Sequence, residues 1–142
     1  MPPSPARAAG EGLLVFLLHS LAALFCLRPI HRLWRHHLAP DLNDPLFNTW
    51  VLDHTMESWR HGLAGLWDAG IFHPTSGALA LSDHLLSPAL LALPAAGWAD
   101  GPVAVYNLLF FLSFPLAGVA THLVLRAGGS PPAAAFLGAT YF

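Results

Sequence analysis

The sequence predicts an all-α membrane protein with two transmembrane helices, the start of a third, and amphipathic or re-entrant helices in the long first loop. Of the 142 residues, 55% are hydrophobic and 10% are charged, whereas soluble domains carry about 25% charged residues. The mean hydropathy is +0.54. A water-soluble chain of this length would need more polar surface to cover its core. Two long apolar stretches therefore organise the chain, with a more polar segment between them.

The longer apolar stretch predicts a transmembrane helix over residues 102–125. Its residues 103–125 contain no Asp, Glu, Lys or Arg, and about 20 apolar residues are enough to cross the hydrocarbon core of a bilayer. Pro115 predicts a kink in this helix. Such a kink is tolerated in a membrane because neighbouring groups can satisfy the carbonyl that proline leaves without a donor.

The shorter apolar stretch, residues 13–27, follows a polar tail over residues 1–12 and predicts a first transmembrane helix over residues 13–30. A cleaved signal peptide is the alternative, because its apolar region has a similar length. No small-x-small cleavage site follows the stretch, and this favours a retained helix.

The last residues, 131–142, follow a Gly-Gly-Ser turn and begin with proline, as helix starts often do. This segment is too short to cross a bilayer. We therefore expect it to be the start of a truncated third transmembrane helix, and the chain to be a fragment of a longer multi-pass protein.

Residues 31–101 predict a loop with interfacial helices at about 45–64 and 84–93. Asp44, followed by Pro45, is expected to cap the first helix. Its apolar stripe, which includes Phe47 and Trp50, predicts that it lies along the membrane surface.

The second interfacial helix is expected to be capped by Ser82 and Asp83. It is too short to span the bilayer. Asp83 and His84 could form an acid/base or ligand pair, although neighbouring residues rarely face each other and capping alone explains Asp83.

Charge limits the partners and leaves the side of the loop open. The net charge of −2 includes no basic patch for nucleic acid. Four of the six arginines lie in residues 28–101, which by the positive-inside rule would place the loop in the cytoplasm, but long loops follow that rule poorly. His31, His36 and His37 lack the spacing of metal ligands, and they fit an interfacial belt better. We therefore name no cofactor or metal, and a divalent cation has no support from the sequence.

Three segments, taken in order, resemble the N-terminal region of bacterial polytopic proteins related to the GT-C membrane glycosyltransferases. The resemblance covers roughly residues 40–142, with His73 standing where the family usually has tyrosine, and with nearly all later spans missing. The three segments are DPLFNTWVLDH, LWDAGIFHPTSGALALSDHLLSPALLALP and GPVAVYNLLFFLSFPLAGVATHLVLR.

This resemblance implies an extracytoplasmic loop and transfer of a sugar from a polyprenyl-phosphate-linked donor to an acceptor at that face of the bacterial inner membrane. Asp44 matches the early acid of the family, which would orient the acceptor hydroxyl or remove its proton. Asp83 and His84 match a second recurrent group. The alternative is a non-enzymatic polytopic protein, such as a transporter or flippase-like subunit.

Overall fold

A computed structural model describes residues 5–39, 43–97 and 99–141, and these residues form helices and turns without a β-strand. The all-α prediction is therefore confirmed for the described part of the chain. Two of the helices, Pro5–Cys26 and Pro102–Ala127, are long and apolar enough to cross a membrane. The helices are α1 (Pro5–Cys26), α2 (Ile30–Leu33), α3 (Asp44–Arg60), α4 (Leu86–Ala92), α5 (Pro102–Ala127) and α6 (Pro132–Tyr141), with a 3₁₀ turn at Ala78–Leu81.

The chain divides into two compact units. The terminal unit comprises Met1–His31 and Phe110–Phe142, and the loop unit comprises Arg32–Leu109. Helix α5 contributes its first turns to the loop unit and the rest of its length to the terminal unit.

Helix α1 differs from the predicted 13–30 at both ends. It begins at Pro5, so residues 5–12 of the predicted tail are helical, as is consistent with proline at a first helical position. It ends at Cys26, and residues 27–29 form a turn. Pro29 explains this end, because proline has no N–H to donate and disfavours the helical conformation of the residue before it.

Helices α5 and α6 lie close to their predicted ranges. Helix α5 extends to Ala127 and continues through Pro115 without interruption. Helix α6 occupies Pro132–Tyr141 of the predicted segment 131–142, and Phe142 lies outside the described residues, as do residues 1–4, 40–42 and 98 of the other predicted segments.

An ion pair joins α1 to α5 in the terminal unit. Nε of Arg126 donates to Oε2 of Glu11 at 2.7 Å, and another guanidinium nitrogen, NH1, donates to the carbonyl of Ser130 at 2.7 Å. Nε of Arg7 lies 3.1 Å from the other carboxylate oxygen of Glu11. The carboxylate therefore has two guanidinium neighbours, as expected for an acid within an otherwise apolar helix.

The C-terminal end of α3 shows why this helix stops four residues before its predicted end at 64. Gly62 has a positive φ of 67°, a conformation that glycine adopts readily. The amide of Leu63 donates to the carbonyl of Ser58 at 2.6 Å, and the amide of Gly62 donates to that of Trp59 at 3.3 Å. This pair of hydrogen bonds is the Schellman motif, which satisfies the last carbonyls of a helix.

The core of the loop unit lies between α3, α4 and the first turns of α5. Leu52 and Met56 of α3 pack with Ala89 and Ala92 of α4 and with Val105 of α5. Because alanine side chains are short, they allow the α3 and α4 backbones to approach closely.

Helix α4 places its small side chains inside and its large ones outside. Ala89 and Ala92 are 0% and 1% exposed, whereas Leu90 and Leu91 are 53% and 70% exposed. The outer face of this short helix is therefore apolar.

Asn107 of α5 fixes the segment that follows α2. Its amide nitrogen donates to the carbonyls of Trp34 and His37, both at 2.8 Å. Its amide oxygen accepts a hydrogen bond from the backbone N–H of Ala39 at 3.3 Å. The side chain is 1% exposed, so these three bonds satisfy polar groups that have little access to water.

Candidate functional site

Asp44 is the first residue of α3, not the residue that caps it. Asn43 occupies the N-cap position and makes no side-chain capping hydrogen bond, so the predicted capping role of Asp44 is corrected. The Asp44 side chain is exposed, and no described residue forms a hydrogen bond or an ion pair with its carboxylate. Capping therefore does not account for this acid, and its carboxylate is open to solvent beside the N-terminus of a helix, where negative charge is favourable.

Asp83 and His84 precede α4 without belonging to it. The predicted helix at 84–93 begins only at Leu86, with Leu85 at its N-cap in a left-handed conformation. Asp83 is exposed and does not cap the helix, which corrects the second capping prediction. The nitrogen Nδ1 of His84 instead accepts a hydrogen bond from the amide of Leu86 at 3.4 Å.

Pro88 gives the physical reason for the late start of α4. In a helix, the ring of a proline clashes with the carbonyl four residues earlier, and proline supplies no N–H for it. The carbonyl four residues before Pro88 is that of His84, so a helix beginning at His84 would be disrupted. The hydroxyl of Thr55 on α3 donates to this carbonyl at 3.0 Å, which satisfies it from another element.

The candidate residues fall into two places on the loop unit. The Thr55 hydrogen bond fixes the His84 backbone beside a turn of α3 that lies eleven residues beyond Asp44, or about 16 Å along the helix axis. Among the described residues, no hydrogen bond or ion pair joins Asp44 to Asp83 or His84. A single proton transfer therefore does not involve both groups.

The region around His84 contains aromatic residues that sequence reasoning did not single out. The rings of Trp67 and His84 meet edge to face with centroids 5.6 Å apart. A cavity of about 400 Å³ lies next to them, and its walls are apolar except for one serine. Its lining residues are Trp59, Leu63, Leu66, Trp67, Leu86, Ser87 and Leu90.

Two hydrogen bonds hold the loop that carries Trp67. The amide of Leu79 donates to the carbonyl of Trp67 at 3.1 Å. One carboxylate oxygen of Asp68 accepts from the amide of Gly77 at 2.6 Å, and Gly77 has a positive φ of 68°. Glycine adopts a positive φ readily, so Gly77 permits this turn.

The outer face of α3 carries its charges. Hydrogen bonds from Arg60, at 2.8 Å, and from His61, at 2.9 Å, lower the pKa of Glu57, with Arg60 as the larger cause. These three side chains are exposed. They form a solvated cluster at the end of the helix opposite Asp44.

The described residues contain no group of three or more His, Cys, Asp or Glu side chains that could hold a metal ion. His31, His36 and His37 are exposed, and the carbonyl of His37 accepts a hydrogen bond from Asn107.

No protein-family model, no curated protein and no solved structure matches the chain.

Proposed function

We propose that the chain is the N-terminal part of a GT-C-like membrane glycosyltransferase, with α1 and α5 crossing the bacterial inner membrane and the loop unit on the extracytoplasmic side. Helix α6 would begin a third span of this multi-pass protein. The donor would be a polyprenyl-phosphate-linked sugar. The enzymatic part of the proposal rests on the exposed Asp44 carboxylate, which has no bonding partner among the described residues. Asp44 lies in one of the segments that resemble the family.

The exposure of apolar side chains on α1 and α5 supports the membrane part of the proposal. Only 17% of the most apolar 18-residue window of either helix is buried, whereas the core helix of a soluble protein would be mostly buried. Large side chains such as Leu13 and Leu21 on α1 and Val124 on α5 are 62%, 63% and 70% exposed. A bilayer would cover these surfaces, which would otherwise form an apolar patch on a soluble protein.

The outer stripe of α3 supports contact of the loop unit with the membrane surface. Leu46, Phe47 and Trp50 are 57%, 37% and 38% exposed, and the rings of Phe47 and Trp50 lie 6.1 Å apart. Aromatic side chains of this kind favour the headgroup region of a bilayer.

In the proposed reaction, Asp44 orients the acceptor hydroxyl and accepts its proton. The hydroxyl oxygen forms a bond to the anomeric carbon of the sugar, and the bond from that carbon to the phosphate oxygen breaks. The electron pair of the broken bond leaves with the polyprenyl phosphate. The turn of α3 that holds the His84 backbone lies about 16 Å along the helix axis from Asp44. Asp83 and His84 would therefore contact another part of a substrate, next to the Trp67 cavity.

The substitution Asp44→Asn tests this function in the protein expressed from its own gene in its native membrane. We would follow transfer of radiolabel from undecaprenyl-phosphate-linked glucose, mannose and arabinose to membrane components. The proposal predicts that D44N lowers transfer at least about 100-fold while the amount of protein in the membrane stays unchanged.

Asp53 offers a matched control, because it is also an exposed aspartate on α3. D53N should retain transfer. Full transfer by D44N would contradict the role of Asp44, and absence of transfer by the wild type with all three donors would favour the non-enzymatic alternative.

A further inference from the structure

His19 of α1 contacts two backbone carbonyls with its two ring nitrogens. Nδ1 lies 2.9 Å from the carbonyl oxygen of Val15, one turn earlier on the same helix. Nε2 lies 3.3 Å from the carbonyl oxygen of Ala139 on α6. All three residues belong to the terminal unit.

Both partners of the imidazole are acceptors, and this restricts its protonation state. A carbonyl oxygen cannot donate a hydrogen bond, and a neutral imidazole has only one N–H. In either neutral tautomer, one ring nitrogen would direct its lone pair at a carbonyl oxygen. The imidazolium form has two N–H groups, so it alone satisfies both contacts.

The ring is held in place by two other helices. A Cβ atom built on Gly118 of α5 would lie 2.6 Å from Cδ2 of His19, so only glycine leaves room for the ring there. Phe136 of α6 meets the ring edge to face, with centroids 5.6 Å apart. Gly118 and Phe136 therefore flank the ring.

A groove of about 380 Å³ lies beside the ring, and most of its lining residues are apolar. Its walls include His19, Cys26 and Thr140. The His19 side chain is only partly buried, and it forms part of the groove wall.

In the terminal unit, the other ionisable groups on the described parts of α1, α5 and α6 are Arg7, Glu11, Cys26, His122, Arg126 and Tyr141. Cys26 lines the same groove. Glu11 and Arg126 pair with each other, two helical turns from His19 along α1. His122 follows Gly118 by one turn of α5; it is 2% exposed, and its Nε2 lies 3.5 Å from Oε2 of Glu11. On the described part of α6, Tyr141 is the ionisable side chain.

We propose that His19 is a proton-dependent clamp, in which the imidazolium holds α6 against α1 and the neutral imidazole releases it. The shorter contact, to Val15, keeps the one remaining proton on Nδ1 after deprotonation. The Nε2 lone pair then faces the Ala139 carbonyl, and the attraction between α1 and α6 becomes a repulsion. Acid therefore closes the clamp and alkali opens it.

Distance measurement between two spin labels tests the clamp directly, without reference to sugar transfer. The labels would be placed at L21C and L137C after replacement of the native cysteine by C26A. Leu21 and Leu137 are 63% and 67% exposed, and each stands two residues from a clamp residue, His19 or Ala139. Dipolar broadening would be recorded for the protein in phosphatidylcholine vesicles from pH 5 to pH 8.5.

We expect the ratio of closed to open protein to fall at least about tenfold between these pH values, because one charge-assisted hydrogen bond is lost. H19Q should abolish the pH response, since its amide does not change charge in this range. The matched control is H122Q, which removes the buried histidine of α5 and should leave the response intact. Broadening that is independent of pH in the wild type, or a response that disappears in H122Q and persists in H19Q, would overturn the proposal.

Nitrogen-15 NMR of the wild-type protein provides a measurement that does not depend on a substituted protein folding. Both ring nitrogens of His19 should carry a proton at pH 5, and one of them should lose it by pH 8.5. A single ring N–H at pH 5 would contradict the clamp.

Discussion

The hydroxyl of Thr55 donates a 3.0 Å hydrogen bond to the carbonyl of His84, and thereby joins α3 to the residue that Pro88 excludes from α4. The carbonyl would otherwise be left without a donor beside a side chain that is 0% exposed. This bond also fixes where His84 lies on the loop unit, and therefore its distance from Asp44.

Thr55→Val should destabilise the loop unit by about 1 kcal/mol, the usual net contribution of one hydrogen bond. Unfolding of the purified protein in mixed micelles with increasing denaturant would measure this loss. Thr49→Val is the control, because the Thr49 hydroxyl bonds the Pro45 carbonyl within α3 itself, and its removal should change stability by about 0.5 kcal/mol or less. Equal losses for the two variants would mean that the bond to His84 contributes nothing specific.

Asn107→Ala should cost about 3 kcal/mol, because three hydrogen bonds of about 1 kcal/mol each are lost from a buried position. Asn107→Asp should be at least as damaging, since a carboxylate cannot donate to the carbonyls of Trp34 and His37. Hydrogen exchange at the Ala39 amide, which donates to Asn107, would report local opening as well as global stability. Unchanged protection of that amide in N107A would show that the three bonds do not hold the segment.

Glu57 should make stability depend on pH in the acid range. Its pKa is lower in the folded protein than the ordinary value of 4.5, chiefly because Arg60 donates to it, and then because His61 does. Its contribution is therefore complete above about pH 4.5 and is lost as the pH falls through the lower folded pKa. Unfolding followed between pH 2 and pH 6 should show a shallower loss for E57Q than for the wild type, and R60A should move the loss to higher pH. A profile for E57Q identical to that of the wild type would exclude Glu57 as its source.

A cysteine at Thr75 should report the side of the membrane on which the loop unit lies. Thr75 is exposed, and C26A removes the chain's one native cysteine. Under the proposed topology, a membrane-impermeant maleimide should label T75C from the periplasmic side in cells with a permeabilised outer membrane. Labelling only after lysis of the inner membrane would place the loop in the cytoplasm, as the arginine count favours.

The long apolar segments predicted α1 and α5, and capping signals predicted α3 and α4, but the helix ends depended on other local signals. Gly62 was such a signal, because a glycine in the left-handed conformation ends a helix at the residues just before it. Pro88 was another, since its effect on the carbonyl four residues earlier excludes a start at His84. Both are visible in the sequence, and both outweigh the hydrophobic pattern at the boundary.

The contacts between elements could not be predicted in the same way. The pairing of Glu11 with Arg126 joins residues far apart in the chain, and the double carbonyl contact of His19 depends on how α6 packs. For the candidate site, the sequence identified Asp44, Asp83 and His84 as separate polar residues. The distance between Asp44 and His84 follows from the hydrogen bond of Thr55 to His84, and no motif distinguishes Thr55.

Helix α4 buries small side chains and exposes large apolar ones, and this exposed face is a target for solubility engineering. Leu91 projects outward and lies outside the lining of the Trp67 cavity, so a charged residue there would leave the packing of Ala89 and Ala92 untouched and would lower the affinity of the surface for detergent. Larger side chains at Ala89 and Ala92 would disturb the core and force α3 and α4 apart. A variant with a charge at position 91 would therefore need less detergent to stay in solution.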